Sequence, residues 1–454
     1  MARATVVGGG LAGCEAAWRL AHCGHDVTLI EMRPARSTPA HQTDRLGELV
    51  CTNSFKSIEP TNAHGLLKTE MRRLGSLLLR AADGARVPAG LALAVDRDLV
   101  AEAMTAAMEA HPNIRIERRE LASIPDGPTV IATGPLTSDA LAGPIHALLG
   151  SDGLAFYDAI APIVAHDSID LDRVFFASRR DKGDSTDYLN CPFDRPGYEA
   201  FIAALKEADV YPGHDWEAIP YFEGCLPIEV MAARGDDTLR FGPMKPIGLR
   251  DPRTGRRPWA VVQLRREDRR GQMWNLVGFQ TRLRTGEQRR IFRMIPGLEN
   301  AEFLRTGSIH RNTYLNFPAT LLPYGAPHRR PDVIFAGQLT GVEGYTESAA
   351  SGILAGINMD RILMGRDPTV PPPTTMLGAL YRFLREAKPS EFQPMNSNFG
   401  LIDSPSEPMK DRTLRREWLA ERAGADLEAW LATERVPELD VPADAVALAA
   451  VDTR

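Results

Sequence analysis

The chain opens ATVVGGGLAGCEAAWRLAHCGHDVTLIEMRP, and this stretch restricts the fold more than any other. Thr5-Val6-Val7 reads as a buried parallel strand, Cys14 to Ala21 as a helix, and Asp26 to Ile30 as a second strand ending at Glu31. Between strand and helix stands Gly8-Gly9-Gly10-Leu11-Ala12-Gly13, a G-x-G-x-x-G with an acid about eighteen residues past its last glycine. Gly8 allows the tight turn, Gly10 lets backbone approach a pyrophosphate, and Gly13 lets helix and strand pack closely. The helix N-terminus offers unpaired N–H groups and a positive dipole end to phosphates. Glu31 is placed to accept from ribose hydroxyls. Cys14 and Cys23 belong to this scaffold as packing residues.

The fingerprint alone does not separate FAD from NAD. A second stretch, DVIFAGQLTGVEGYTESAASGILAGINM, runs from Asp332 to Met359. It reads as a strand (Val333 to Phe335), a glycine-rich loop and a helix of small residues from Glu347 to Asn358. A third, TVIATGPLTS, is a strand ending in Ala-Thr-Gly. This set resembles the FAD-dependent proteins related to glutathione reductase, with no second fingerprint for a nicotinamide domain. Asp98 to Glu120 reads as helix then strand and continues the same fold. The expected fold class is α/β: a Rossmann-type FAD-binding domain of that superfamily, with an inserted mixed α+β domain. Residues 1–152 and 308–365 form the first, and residues 153–307, where strands look antiparallel, form the insertion. Residues 366–454 are a proline-rich linker and a helical segment packed on the FAD domain, in which RTLRREWLAERAGADLEAWLATE suits an amphipathic helix pair.

The 454 residues are 44% apolar and 25% charged, as in soluble globular proteins. No apolar run is long enough for a membrane helix and no signal peptide is read, so a cytoplasmic protein without a membrane partner is expected. Five widely spaced cysteines argue against a disulfide framework, and no ligand spacing suggests a metal. The net charge is −6, yet Leu249 to Met294 holds thirteen arginines against four acids. That excess is either a solvated face opposite acids elsewhere or a phosphate-binding face. Trp259, Trp274 and Phe279 among these arginines stack on bases or pack in the core.

Cys51, in LVCTNSFKS, and Cys225, in FEGCLPIEVMAARG, lie in segments without helical or strand periodicity. Each is a packed small residue or a reactive thiol. GSIHRNTYLNFP holds His310, Arg311 and Asn312, either structural or facing the flavin. His41 and Gln42, in TPAHQTD, line the cofactor pocket or a polar loop.

Twelve segments from about Val6 to Asn358, among them GGGLAGCEAAWRL, LVCTNSFKS, EGCLPIEVMAARG, FGPMKPIGLRDPRTGRRPWAVVQLR and AGQLTGVEGYTESAASGILAGIN, resemble the folate- and FAD-dependent tRNA (uracil-5-)-methyltransferase family. The resemblance implies transfer of the methylene of 5,10-methylenetetrahydrofolate to a T-loop uridine of tRNA, reduction by FADH2, and NADPH or NADH as reductant. It implies Cys225 as nucleophile on uracil C6 and Cys51 as acid/base partner, an assignment that is reversible. Cofactor binding falls on Gly8, Gly10, Gly13, Glu31, Arg33, Gly337, Gln338, Gly344, Tyr345 and Ser348. Folate binding falls on His310, Arg311 and Asn312, and RNA phosphates on Arg253, Arg256, Arg257, Arg265, Arg282 and Arg284. Cys191 reads as structural. Three rivals remain: a flavoprotein modifying the wobble uridine of tRNA, an FAD oxidoreductase acting on a small molecule, and an RNA-binding flavoprotein without turnover. Oligomeric state is unreadable.

Overall fold

A computed structural model describes residues 1–150, 154–159, 161–179, 187–211, 226–307, 309–403, 405 and 409–439. Five parallel strands form one sheet in the order Val333–Phe335, Thr129–Ile131, Arg3–Val7, Asp26–Glu31, Ile114–Arg118. The chain builds outward from Arg3–Val7 on one side, then returns to its other side. The strand order therefore reverses next to the fingerprint strand, where α/β sheets open a ligand crevice.

Helix Leu11–His22 follows the fingerprint, and helix Tyr345–Leu363 lies against it. Small residues make this contact possible. A Cβ on Gly352 would stand 2.1 Å from the Ala12 carbonyl oxygen, and one on Gly13 would stand 1.8 Å from that of Gly8. The small-residue helix thus packs backbone to backbone on the first helix.

Strands Leu154–Ala159 and Ile309–Tyr314 pair antiparallel, so the chain leaves and re-enters the parallel-sheet region through one ribbon. Between them an antiparallel sheet runs Phe175–Phe176, Tyr188–Phe193, Ala260–Arg266, Met273–Leu276, Ile163–Ala165, Phe303–Arg305. It covers its own apolar core, which includes Cys191, Phe201, Trp274, Phe279 and Phe292. Trp274 and Phe279 are 1% and 0% exposed, which removes them as base-stacking candidates. Cys14 is fully buried too, and burial pushes its thiol far up from the ordinary range. Both Cys14 and Cys191 are packing residues.

The expected helix pair near the C-terminus is one continuous helix, Arg412–Glu434, capped by Asp411. The helix runs through Gly424, because Leu419, Ala423, Leu427, Trp430 and Leu431 on both sides of it bury one stripe on the core of the parallel-sheet region. Among the described residues no helix is long and apolar enough to cross a membrane.

Two buried carboxylates fasten helices to this core. Glu15 accepts from Ser76 Oγ and from the amides of Leu77 and Leu78 at 3.0 Å each, closing the N-terminus of helix Leu77–Gly84. Glu70 does the same for Met376 and Leu377, at 2.7 and 2.9 Å. Burial raises both carboxyls to about 7 against these hydrogen bonds. An acid raised in the folded state binds its proton more tightly there than in the unfolded chain. Its contribution is therefore present below about pH 4.5 and lost as pH rises through about 7. The stability difference between wild type and Glu15→Gln, from urea unfolding at a series of pH values, should move against the wild type by about 3 kcal/mol over that window. A pH-independent difference would contradict this account.

Candidate active site

At the carboxyl ends of the parallel strands opens a cleft. Gly8, Gly10, Glu31, Arg33, Gly337, Gln338, Tyr345 and Ser348 all line it. Helix Leu11–His22 begins at Gly10 and helix Tyr345–Leu363 at Gly344, and neither N-cap carries a side-chain hydrogen bond. Their first N–H groups stay open to an anion. A Cβ on Gly10 would meet nothing within 4 Å, so ligand can lie directly on its backbone. Gly13 and Gly344 act one step back, through helix packing and as a helix start at φ 115°. The cleft suits a dinucleotide with a central pyrophosphate.

Glu31 sits at its inner edge. One carboxylate oxygen accepts from the Gly9 amide at 2.7 Å, the other from Arg33 N and Nε at 3.0 and 2.9 Å. Burial alone would raise this carboxyl, but the hydrogen bonds from Arg33 and Gly9 outweigh it and hold it below the ordinary range. Of roughly four acceptor positions on a carboxylate, one remains for a ribose hydroxyl. His41 also lines the cleft, and burial, aided by Arg33, lowers it to about 4, so it stands neutral at pH 7.

Cys51 lies where this cleft meets the antiparallel sheet. Its amide donates to the Tyr345 hydroxyl oxygen at 2.7 Å, its sulfur lies 3.0 Å from the same atom, and the Thr52 amide is 3.3 Å away. Burial, and then the neighbouring Cys51, push the Tyr345 phenol well above its ordinary value, so it stays protonated. Three guanidiniums hold the loop. Arg97 donates to the Leu49 carbonyl at 3.1 Å and Arg305 to that of Val50 at 2.9 Å. Arg265 forks onto Asn53 Oδ1 at 3.1 and 2.8 Å and reaches Thr52 Oγ1 at 3.1 Å. Asn53, fully buried, donates to the carbonyls of Val95 and Arg266. Glu267 balances Arg97 at 2.6 Å. The thiol is thus fixed beside guanidiniums, of which Arg97 and Arg305 interact with it electrostatically.

Residues 3–367 match the family model "Glucose inhibited division protein A". A methylenetetrahydrofolate–tRNA-(uracil-5-)-methyltransferase TrmFO from Geobacter sulfurreducens is 57% identical over 430 residues, covering 94% of this chain and 99% of that protein. Another so named, from Lactiplantibacillus plantarum, is 52% identical over 93% of this chain and 96% of its own. The chain belongs to this methyltransferase family. A solved structure of Aquifex aeolicus GidA superposes with a TM-score of 0.68 at 18% identity, over 94% of this chain and 73% of that one, and shares the fold.

The expected site residues are distributed unevenly. Arg265 is the correction: it is 7% exposed and grips the Cys51 loop, where an RNA phosphate contact would need a surface cation. Its strand, Ala260–Arg266, is buried on both faces almost to its end. Arg253 chelates Asp251 at 2.9 and 2.7 Å, and Arg282 lies 3.8 Å from Glu229. Arg256, Arg257 and Arg284 are exposed. Strand Ile309–Tyr314 carries His310, Arg311 and Asn312, of which Asn312 is buried. Cys225 lies outside the described residues. Arg97, Arg305 and Asn53 carry little signal in the sequence. Two of them are single arginines without motif, and Asn53 shows only as part of a polar run.

Arg265→Met strands the buried Asn53 oxygen and should destabilise the protein by about 1–3 kcal/mol, with faster hydrogen exchange at residues 49–53. Arg265→Lys should recover only part, because an ammonium cannot fork onto both partners. Exchange in that loop unchanged in Arg265→Met would contradict the clamp.

Proposed function

We propose that this protein transfers the methylene carbon of 5,10-methylenetetrahydrofolate to C5 of a T-loop uridine in tRNA and reduces it to a methyl group, giving 5-methyluridine. The observation that carries this is the near-full-length identity to methyltransferases of that name, joined to a Cys51 thiol held on the rim of a dinucleotide cleft. FAD is the cofactor of the cleft, held by the two open helix N-termini, Glu31, Arg33 and Gln338, and when reduced it supplies the hydride that completes the methyl.

Uracil C5 is a poor nucleophile. A thiolate adding to C6 shifts the C5–C6 π electrons toward the C4 carbonyl and makes C5 a carbon nucleophile. C5 then bonds the methylene carbon as the bond from that carbon to a folate nitrogen breaks. A base takes the C5 proton as the second carbon–nitrogen bond breaks and releases tetrahydrofolate, hydride adds to the exocyclic methylene left on C5, and the thiolate leaves C6. Cys225 is assigned the attack on C6 and Cys51 the proton at C5. The arginine-held loop keeps the Cys51 sulfur in one place, and the Tyr345 hydroxyl, 3.0 Å away, can share its proton. His310, Arg311 and Asn312, on the ribbon joining the two regions, are assigned to folate.

Residues 153–307 are the tRNA-facing module, with exposed Arg256, Arg257 and Arg284 toward phosphates. The reductant is NADPH or NADH, used without a nicotinamide domain of its own, and the protein works in the cytoplasm without a membrane partner.

Purified protein given unmodified tRNA transcript, labelled methylenetetrahydrofolate and NADPH should place label in 5-methyluridine. No label there sinks the proposal. With tRNA carrying 5-fluorouridine, which cannot release its C5 substituent as a proton, a covalent adduct should accumulate. Cys225→Ala should abolish the adduct and Cys51→Ala should leave it. The opposite pattern reverses the two thiols, and indifference to both removes them from the chemistry.

A further inference from the structure

Phe241 is 73% exposed, the most exposed aromatic side chain among the described residues with large exposed apolar groups. It does not stand alone. The Arg240 guanidinium lies 5.6 Å from its ring centroid and 3.9 Å from that of Trp259, and Arg195 lies 5.2 Å from Trp259 on the same ring system. Arg240 Nε also donates to the Trp259 carbonyl at 3.1 Å, which fixes the fork between the rings. Arg195, Trp259, Arg240 and Phe241 therefore form an alternating ladder of cations and rings, half-buried at Trp259 and open at Phe241. The open end of this ladder is the exposed Phe241 ring.

Its surroundings select the occupant. Lys245, Arg250, Arg256 and Arg257 are exposed close by in sequence and make no ion pair among the described residues. Asp237 pairs with Arg240 at 3.7 Å and Asp236 with Lys206, so the nearest acids are already met and the segment keeps an excess of cations, to which a nucleic acid brings flat rings and phosphates together. A base paired in a duplex hides both faces, so the fitting partner is an unstacked base in a loop. The ladder also connects to the Cys51 site. Arg179 donates to the carbonyls of Pro243 and Lys245, in the turn after Phe241, at 3.3 and 3.0 Å. Tyr188 feels both Arg179 and Arg265, and is the strand neighbour of Arg265, which holds the Cys51 loop.

We infer that Phe241 is a stacking platform for an unpaired base of the tRNA substrate, with Arg240 and Trp259 stiffening it from behind and Lys245, Arg256 and Arg257 taking the flanking phosphates. This rests on the tRNA reading above and adds the element that grips a base outside the reacting one.

The test measures tRNA affinity of the full-length protein across a salt series. Loss of stacking lowers affinity without changing how many counterions are released, so Phe241→Ala should weaken binding about tenfold with the slope of log K against log salt unchanged. Phe241→Trp should bind as tightly as wild type or tighter. The double change Arg256→Ala and Arg257→Ala should instead flatten the slope, by about 0.7 for each phosphate that is no longer neutralised. Phe241 is exposed, so its replacement leaves the core intact, and a thermal melt of each variant confirms folding. Wild-type affinity in Phe241→Ala overturns the platform, as does a lower affinity that Phe241→Trp fails to restore. A change of sedimentation in Phe241→Ala without a change in tRNA binding assigns the ring to association between copies and also overturns it. Wild-type protein that forms no 5-methyluridine is a separate outcome, and that one defeats the functional reading.

Discussion

The architecture depends on one contact between two helices far apart in sequence. Gly352 lets helix Tyr345–Leu363 rest on the Ala12 carbonyl, so the chain's first helix and a helix more than 300 residues later lie backbone to backbone. That contact brings two helix N-termini to one cleft, and neither is closed by a side chain. It also sets Tyr345, the first residue of the later helix, where its hydroxyl can hold the Cys51 amide and face the Cys51 sulfur. Dinucleotide cleft and thiol loop therefore share a wall, and any shift along that helix pair would move both.

The thiol loop shows how the segment that carries the antiparallel sheet holds a loop belonging to the first part of the chain. Residues 49–53 belong to the first part of the chain, yet Arg265 and Arg305, which grip them, come from the inserted segment, and Arg97 comes from the parallel-sheet region. Three guanidiniums close together, Arg265 buried and Arg97 and Arg305 half-buried, are unfavourable unless each is satisfied. Loop carbonyls, the Asn53 side chain and Glu267 satisfy them. The result is a rigid cationic seat for a thiol at the junction of two regions, which a flexible loop by itself would not provide. The Phe241 ladder extends the same economy of means to the surface, where guanidiniums stiffen a ring.

Legibility varies with the range of the interaction. The strand, glycine turn and helix of the fingerprint are local, and the structure places them close to where periodicity does. Strand Val333–Phe335 is equally plain, because its apolar run ends in glycine. The single helix Arg412–Glu434 reads as two in the sequence, since an amphipathic stripe gives the face of a helix but not whether it continues through the middle. Arg265 reads as a surface cation because composition counts charge without its burial. In the structure it fills the space between a buried strand and the Cys51 loop.

What the sequence by itself determined is the α/β fold, the dinucleotide crevice and, through resemblance, the methyltransferase family. The first two follow from spacings of a few residues, within which backbone geometry leaves little choice. What only the tertiary structure decided is which arginines face outward and which turn inward, and that Tyr345 meets Cys51 across 294 residues of chain. Partners at that separation leave no periodic trace in a single chain, because they are selected by the packing of whole elements and by the need to satisfy every buried charge.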